Sequence, residues 1–165
     1  MHDGRSIANF VLDESDAAGV ALTHLSLQKI VYFCHVWSLI ELGRPLVKHS
    51  FEAWEHGPVL QYLYREFKRF GWSPIKERAQ RVNPYTGRQE VVAYAFDEPT
   101  LALLQRVVGF YCRLDAGTLV ELTHAPGGPW YKVWYHSGKI NPGMRIDNRE
   151  IERFYARIPQ FSTLQ

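Results

Sequence analysis

Histidine, cysteine and carboxylate side chains hold metals and move protons, and this chain carries seven His, two Cys and seventeen Asp or Glu. Spacing decides what they can do. A zinc protease helix needs H-E-x-x-H, a structural zinc site needs cysteines paired as C-x-x-C, and a zinc deaminase needs H-x-E with C-x-x-C downstream. The chain contains none of these patterns. His35 and His56 stand near Glu41, Glu52 and Glu55 in sequence, at gaps that match no ligand spacing. A nucleophile presented for acyl transfer would need a G-x-S-x-G elbow, which is missing. Cys34 and Cys112 sit in the apolar runs Tyr32–Trp37 and Gly109–Leu114, where a thiol reads as a small buried hydrophobe and a thiolate is disfavoured. Gly127-Gly128-Pro129 lacks the glycine spacing and the lysine of a phosphate cradle. No catalytic residue, metal ligand or cofactor is therefore expected.

What the residue types do offer is contact. Aromatic residues make up 14% of the chain, with five Trp, nine Tyr and nine Phe, and such residues serve both cores and interface hot spots. The net charge of +2 advertises no polyanion partner, yet its distribution is uneven. Between Arg65 and Arg88, seven Lys or Arg face two Glu. A phosphate-binding footprint and a solvated helix face with its loop both fit that stretch. Phe67, Phe70, Trp72 and Tyr85 interleave with it and could stack on unpaired bases, but no helix-turn-helix or ribonucleoprotein signature accompanies them. His124 closes the stretch Leu122-Thr123-His124, where a cationic imidazole would complement a helix C-terminus and bond the following loop.

These residues need elements to position them. Asp3 is placed to cap a helix running to about Ala18, and Thr23 to cap a longer one reaching Leu42 before Gly43 and Pro45. The second is apolar on most of its surface and is expected at the centre of the core. Ser50–Trp54 alternates as a short extended piece, and Pro58 is placed at the first turn of a helix to Phe70. Asn83-Pro84-Tyr85-Thr86-Gly87 between Val82 and Tyr94 predicts a hairpin, with which Phe51–Trp54 could pair. Asp97 caps a helix with Leu101, Leu104, Val108 and Tyr111 as its apolar stripe, and Asp115 caps a shorter one to His124. Ala125–Gly143 reads as a loop. Asp147-x-x-Glu150 resembles a capping box, followed by Ile151, Phe154, Tyr155 and Ile158 facing inward. The expected fold is mainly α with a small β element, one compact domain over 1–165. With no basic leader before an apolar run and no apolar run of spanning length, the chain reads as cytoplasmic, with no membrane partner.

Several segments taken in order resemble a known family. They are Leu25–Phe33, including Leu27, Gln28, Lys29 and Tyr32; Gly43–Leu46; Phe51–Val59, including Phe51, Ala53, Trp54, Gly57 and Pro58; and Leu63–Phe67, including Tyr64. Leu119-x-x-Leu122-Thr123-His124 and Gly128-Pro129-Trp130 complete the set. The pattern is similar to the Panacea-domain antitoxins, which include SocA-like and phage-associated GepA-like proteins, and it spans about residues 5–158. The family usually carries Tyr at the position of His56, while Gly57 and Pro58, which shape the turn, are present.

The resemblance implies a non-enzymatic antitoxin that neutralises a neighbouring-gene toxin by binding it. The toxin itself, the oligomeric state and any hand-over to a protease system stay open. Because the shared motifs fall on core, turn and cap positions, they are expected to specify the fold. The partner would then be met by aromatics outside the helical stripes, Trp72, Tyr85, Trp134 and Tyr135, with Arg78, Arg81 and Arg88, since Trp, Tyr and Arg dominate interface hot spots. Two readings of other classes stand beside it. One is a phage or mobile-element regulator holding nucleic acid through Arg65–Arg88, disfavoured by the modest charge. The other is an enzyme whose site unites Glu52, His56 and His124, which requires those side chains to converge.

Overall fold

A computed structural model describes residues 1–159, so the last six residues of the expected 1–165 unit lie outside the described ones. The architecture is mainly α-helical with a small three-stranded sheet and a separate two-stranded ribbon. Helix α1 spans Gly4–Ala17, and the Asp3 carboxylate accepts from Arg5 N at 2.9 Å at its start. Helix α2 spans His24–Leu42, with Thr23 as N-cap and Gly43 in the left-handed conformation as C-cap. Every residue of α2 from Ser26 to Leu39 is buried, because α1 and the later helices surround it. Phe33 stacks on Tyr111 at 4.3 Å, Trp37 Nε1 donates to the Tyr111 hydroxyl at 3.0 Å, and Cys34 is buried as a free thiol.

After α2 the chain forms β1 (Glu52–Trp54) and β2 (Gly57–Val59), an antiparallel pair closed by Glu55 and His56 alone. This overturns the expected place of Pro58. It stands in an edge strand opposite Ala53, where its missing N–H costs nothing, and helix α3 (Gln61–Phe67) begins only after Leu60. A 3₁₀ turn at Lys68–Phe70 extends α3 to the expected end. The ribbon of β3 (Gln80–Val82) and β4 (Gln89–Val91) forms where the Asn83–Gly87 turn places it. Asn83 Oδ1 accepts from the amides of Tyr85 and Thr86 within that turn. The ribbon does not pair with β1, contrary to expectation. The other side of β1 is taken by β5 (Met144–Arg145), in the order β2-β1-β5.

Helix α4 (Glu98–Tyr111) is capped by Asp97 and buries Thr100, Leu103, Leu104, Val107, Val108 and Tyr111. Leu101, expected in that stripe, faces solvent. Helix α5 (Ala116–Thr123) is capped by Asp115, and the segment read as a loop holds the short helix α6 (Pro129–Trp134). Gly128 and Pro129 supply its N-cap and first position, a start signal masked by the surrounding glycines and prolines. Helix α7 (Asn148–Tyr155) starts at Asp147, which accepts from Arg149 N at 2.8 Å. The box is only half closed, because Glu150 binds Lys132 and Arg153 instead. Ile151 and Tyr155 are buried, while Phe154 and Ile158 are partly so. Among the described residues, no helix is long and apolar enough to cross a membrane.

Candidate functional site

Helix α2 and the β1–β2 turn meet through polar side chains. Gln28 uses its whole amide on one residue: Oε1 accepts from Leu60 N at 3.0 Å and Nε2 donates to Leu60 O at 3.3 Å. One residue later, the fully buried Lys29 donates from Nζ to the Pro58 carbonyl at 2.8 Å. Together they give the edge strand the partners that a further strand would have supplied. Gly57 allows this approach. Its φ is +99°, and a Cβ there would lie 2.5 Å from Thr123 Oγ1 and 2.9 Å from Lys29 Cε.

From the other side, α6 closes on the same turn. Trp130 Nε1 donates to Trp54 O at 2.8 Å, and the His124 ring stacks on the Trp130 indole with centroids 3.6 Å apart. Trp54 packs against Tyr64 at 4.8 Å, and Tyr64 in turn against His24 at 5.0 Å. Tyr32 meets Phe51 at 5.1 Å, and Ala53 and Pro129 are buried. The motif residues from five stretches of sequence therefore surround one place in the fold.

Its electrostatics are set by burial. Burial pushes the Lys29 ammonium down to about 7. Burial, with Lys29 close by, pushes His24 down to about 4, and His124 falls equally through burial, Lys29 and His56. His124 is therefore a neutral ring, not the cation expected at the end of α5, and its Nε2 is buried without a hydrogen-bond partner. A cavity of about 370 Å³ opens here, lined by His24, Lys29, Trp54, His56, Tyr64 and Trp72 among others.

The candidate partner-binding residues are spread over several surfaces. Trp72 is 80% exposed at the rim of this cavity, and Tyr85 is 96% exposed in the ribbon turn with Arg88 exposed nearby. Tyr135 is 46% exposed and packs on Tyr131. Trp134, at 8% exposure, is buried against Trp130 and offers no surface anchor. Arg78 is held by Asp13 at 2.7 Å and by Asp16, tying the segment before the ribbon to α1. Arg81 pairs with Glu90 and Arg69 with Glu77, so three cations of the basic stretch already face carboxylates.

A larger cavity of about 820 Å³ lies between Arg5, Lys48, Glu52, Tyr62, Arg65 and Arg145. No motif in the sequence pointed to it, because its residues come from four separated stretches. Glu52 lines this cavity and His56 the smaller one, so Glu52, His56 and His124 do not gather in one pocket. Among the described residues, no three His, Cys, Asp or Glu side chains are grouped so that they could hold a metal ion.

Comparison with known proteins bears on the same residues. The chain is 36% identical over 151 residues to the protein named antitoxin SocA of Caulobacter vibrioides (strain NA1000 / CB15N), covering 91% of this chain and 80% of that protein. No solved structure matches. The profile of the family described as antitoxin SocA-like, Panacea domain, matches residues 27–131, a span that runs from Leu27 through the Gln28–Lys29 clamp to Tyr131 beside Trp130. This chain belongs to the SocA-like antitoxin family of Panacea-domain proteins.

Proposed function

We propose that the chain neutralises a protein toxin encoded by the neighbouring gene, and that it does so by direct binding without chemistry of its own. The observation that carries this reading, beside family membership, is the exposure of Trp72 and Tyr85 on a protein whose core is otherwise well filled with aromatics. An indole left 80% exposed forgoes burial that a Trp ordinarily gains from its own fold, and a partner's surface would supply it. Both residues project from segments around β3 and β4 and the 3₁₀ turn, outside the clamp of α2 on β2. The grip can therefore vary while the scaffold stays fixed. Blocking follows from occlusion of the toxin's working surface.

The test is a growth assay in bacteria carrying the neighbouring gene on an inducible promoter. Expressed alone it should arrest growth, and co-expression of this chain should restore it. The double variant Trp72→Ala, Tyr85→Ala should melt within a degree or two of the parent, since both side chains face solvent. Its rescue should drop, and its affinity for the toxin should fall at least tenfold. A harmless neighbour, or a toxin that kills equally with and without this chain, would sink the proposal. Full rescue by the double variant would move the interface away from these two residues.

A further inference from the structure

The 370 Å³ cavity between α2, the β1–β2 turn and the 3₁₀ turn falls in the size range of small-ligand sites. Leu25, Trp54, Val59, Tyr64 and Trp72 give it flat apolar walls. Beside Gln28, whose amide is bonded to Leu60, its buried polar groups are all bases. Lys29 spends one of its three N–H donors on Pro58 O. His24, buried at the same wall, keeps an Nδ1 without a partner. Just behind, His124 Nε2 is buried and unpartnered as well. His56 and Lys68 line the mouth, and the one carboxylate in the lining, Glu55, is exposed. A buried lysine with no buried counter-charge is an expensive arrangement unless something else supplies the anion.

We propose that this cavity is an anion site that takes one carboxylate carried on a flat apolar group, with Lys29 and His24 as its donors. Two or three buried donors suit a carboxylate, whereas a phosphate dianion would ask for more of them and for a wetter wall. The indoles of Trp54 and Trp72 and the ring of Tyr64 supply the surface for the apolar part. Binding should be coupled to proton uptake. Burial holds Lys29, His24 and His124 back from protonation, Lys29 adds to that at both histidines, and His56 adds to it at His124. A bound anion reverses the balance, and Glu55 is too exposed to substitute for it. The carboxylate has two possible sources with the same chemistry, a free small acid or an acidic side chain of the bound toxin.

The experiment uses the intact chain without toxin, so it stands or falls apart from the antitoxin reading. Isothermal titration and tryptophan fluorescence would compare 3-phenylpropionate with 3-phenylpropionamide. The acid should bind at millimolar concentration or below, at least tenfold more tightly than the amide. Its heat should change between buffers of different ionisation enthalpy, reporting a proton taken up. Lys29→Met should abolish the preference for the acid. Since Lys29 also holds Pro58, His24→Phe serves as the second variant and should weaken acid binding while the Lys29–Pro58 bond stays. Equal binding of acid and amide, no binding of either, or acid binding unchanged in His24→Phe would each overturn the proposal. Repeating the titration on the chain saturated with toxin separates the sources. Lost binding assigns the site to a toxin carboxylate, and retained binding assigns it to a free acid.

Discussion

Gly57 shows how much one missing Cβ can hold in place. Its φ of +99° is costly for an L-residue, and a methyl group there would sit 2.5 Å from Thr123 Oγ1. Gly57→Ala should therefore lose about 2–4 kcal/mol of stability, read as a drop in the urea midpoint. Thr123→Ala in the same background should recover the Thr123 part of the steric cost and leave the Lys29 contact and the backbone part, so the two changes should not be additive. Gly127 is the control, with φ +73° and nothing within 4 Å of a Cβ, so Gly127→Ala should cost only about 1–2 kcal/mol. Equal losses at the two glycines would show that Gly57 is not packed as described. The sequence marks Gly57-Pro58 as a turn, because those residue types are turn-formers wherever they occur. It does not mark Thr123 or Lys29 as the atoms that forbid a side chain there, since that contact joins stretches far apart in the chain. The neutral state of His124 was equally hidden, because helix-end position favours the cation, whereas burial, with Lys29 and His56 nearby, reverses it.

Between elements, the ribbon is tied to α1 by one buried amide, beside the more exposed bonds of Arg5 to Gln80 O and of Arg78 to Asp13 and Asp16. Asn9, buried on α1, accepts from Ala79 N at 2.7 Å and donates to Ala79 O at 3.1 Å and Val92 O at 2.8 Å. Asn9→Leu would strand one backbone donor and two acceptors next to an apolar side chain, a cost of about 2–4 kcal/mol. The loss should be local. Amide exchange should speed up at Val92 and the β3–β4 pairs, while the amides of α2 keep their protection; uniform loss across both would show that the ribbon does not open separately. The elements themselves were largely legible. Asp3, Thr23, Asp97, Asp115 and Asp147 all stand as helix N-caps, since a capping bond is made within three residues and needs no tertiary context. Three elements were misread for the opposite reason. Pro58 fits a helix start or an edge strand equally well, and the bonds from Gln28 and Lys29 decide for the strand. The partner of β1 comes from Met144–Arg145, nearly a hundred residues on, which no local pattern announces. Helix α6, at six residues, is too short to show periodicity among its Gly, Pro and aromatic neighbours.

At the scale of the whole molecule, burial of bases gives folding a pH dependence with a definite sign. His24 and His124 bind a proton near 6.5 when unfolded and only at about 4 when folded. Below pH 6.5 the unfolded chain thus takes up protons that the folded one refuses, so stability is full above that value and falls as pH drops toward 4. The ceiling is about 1.4 kcal/mol per pH unit for each such proton, with less from the half-buried His124 because solvent screens it. His2 and His35, also lowered by burial, act in the same direction. Lys29 adds a second limb, since it is protonated below about 10.5 unfolded but only below about 7 folded, so stability continues to rise above neutrality. The rise ends where Cys34, Tyr62 and Tyr111 begin to ionise in the unfolded chain alone, their folded values having been raised by burial. The optimum is accordingly expected near pH 9, on the alkaline side of the range usual for proteins. Urea midpoints between pH 4.5 and 10 would map both limbs. His24→Phe combined with His124→Phe keeps aromatic rings against Tyr64 and Trp130 and removes two titrating groups, so the acid limb should flatten while the alkaline limb, governed by Lys29, keeps its slope. An acid limb unchanged in that variant would assign it to other groups, and a flat alkaline limb in the parent would mean that Lys29 is not buried as a neutral amine. Either result would also weaken the case that a carboxylate enters this cavity with a proton, because the same uncompensated bases underlie both.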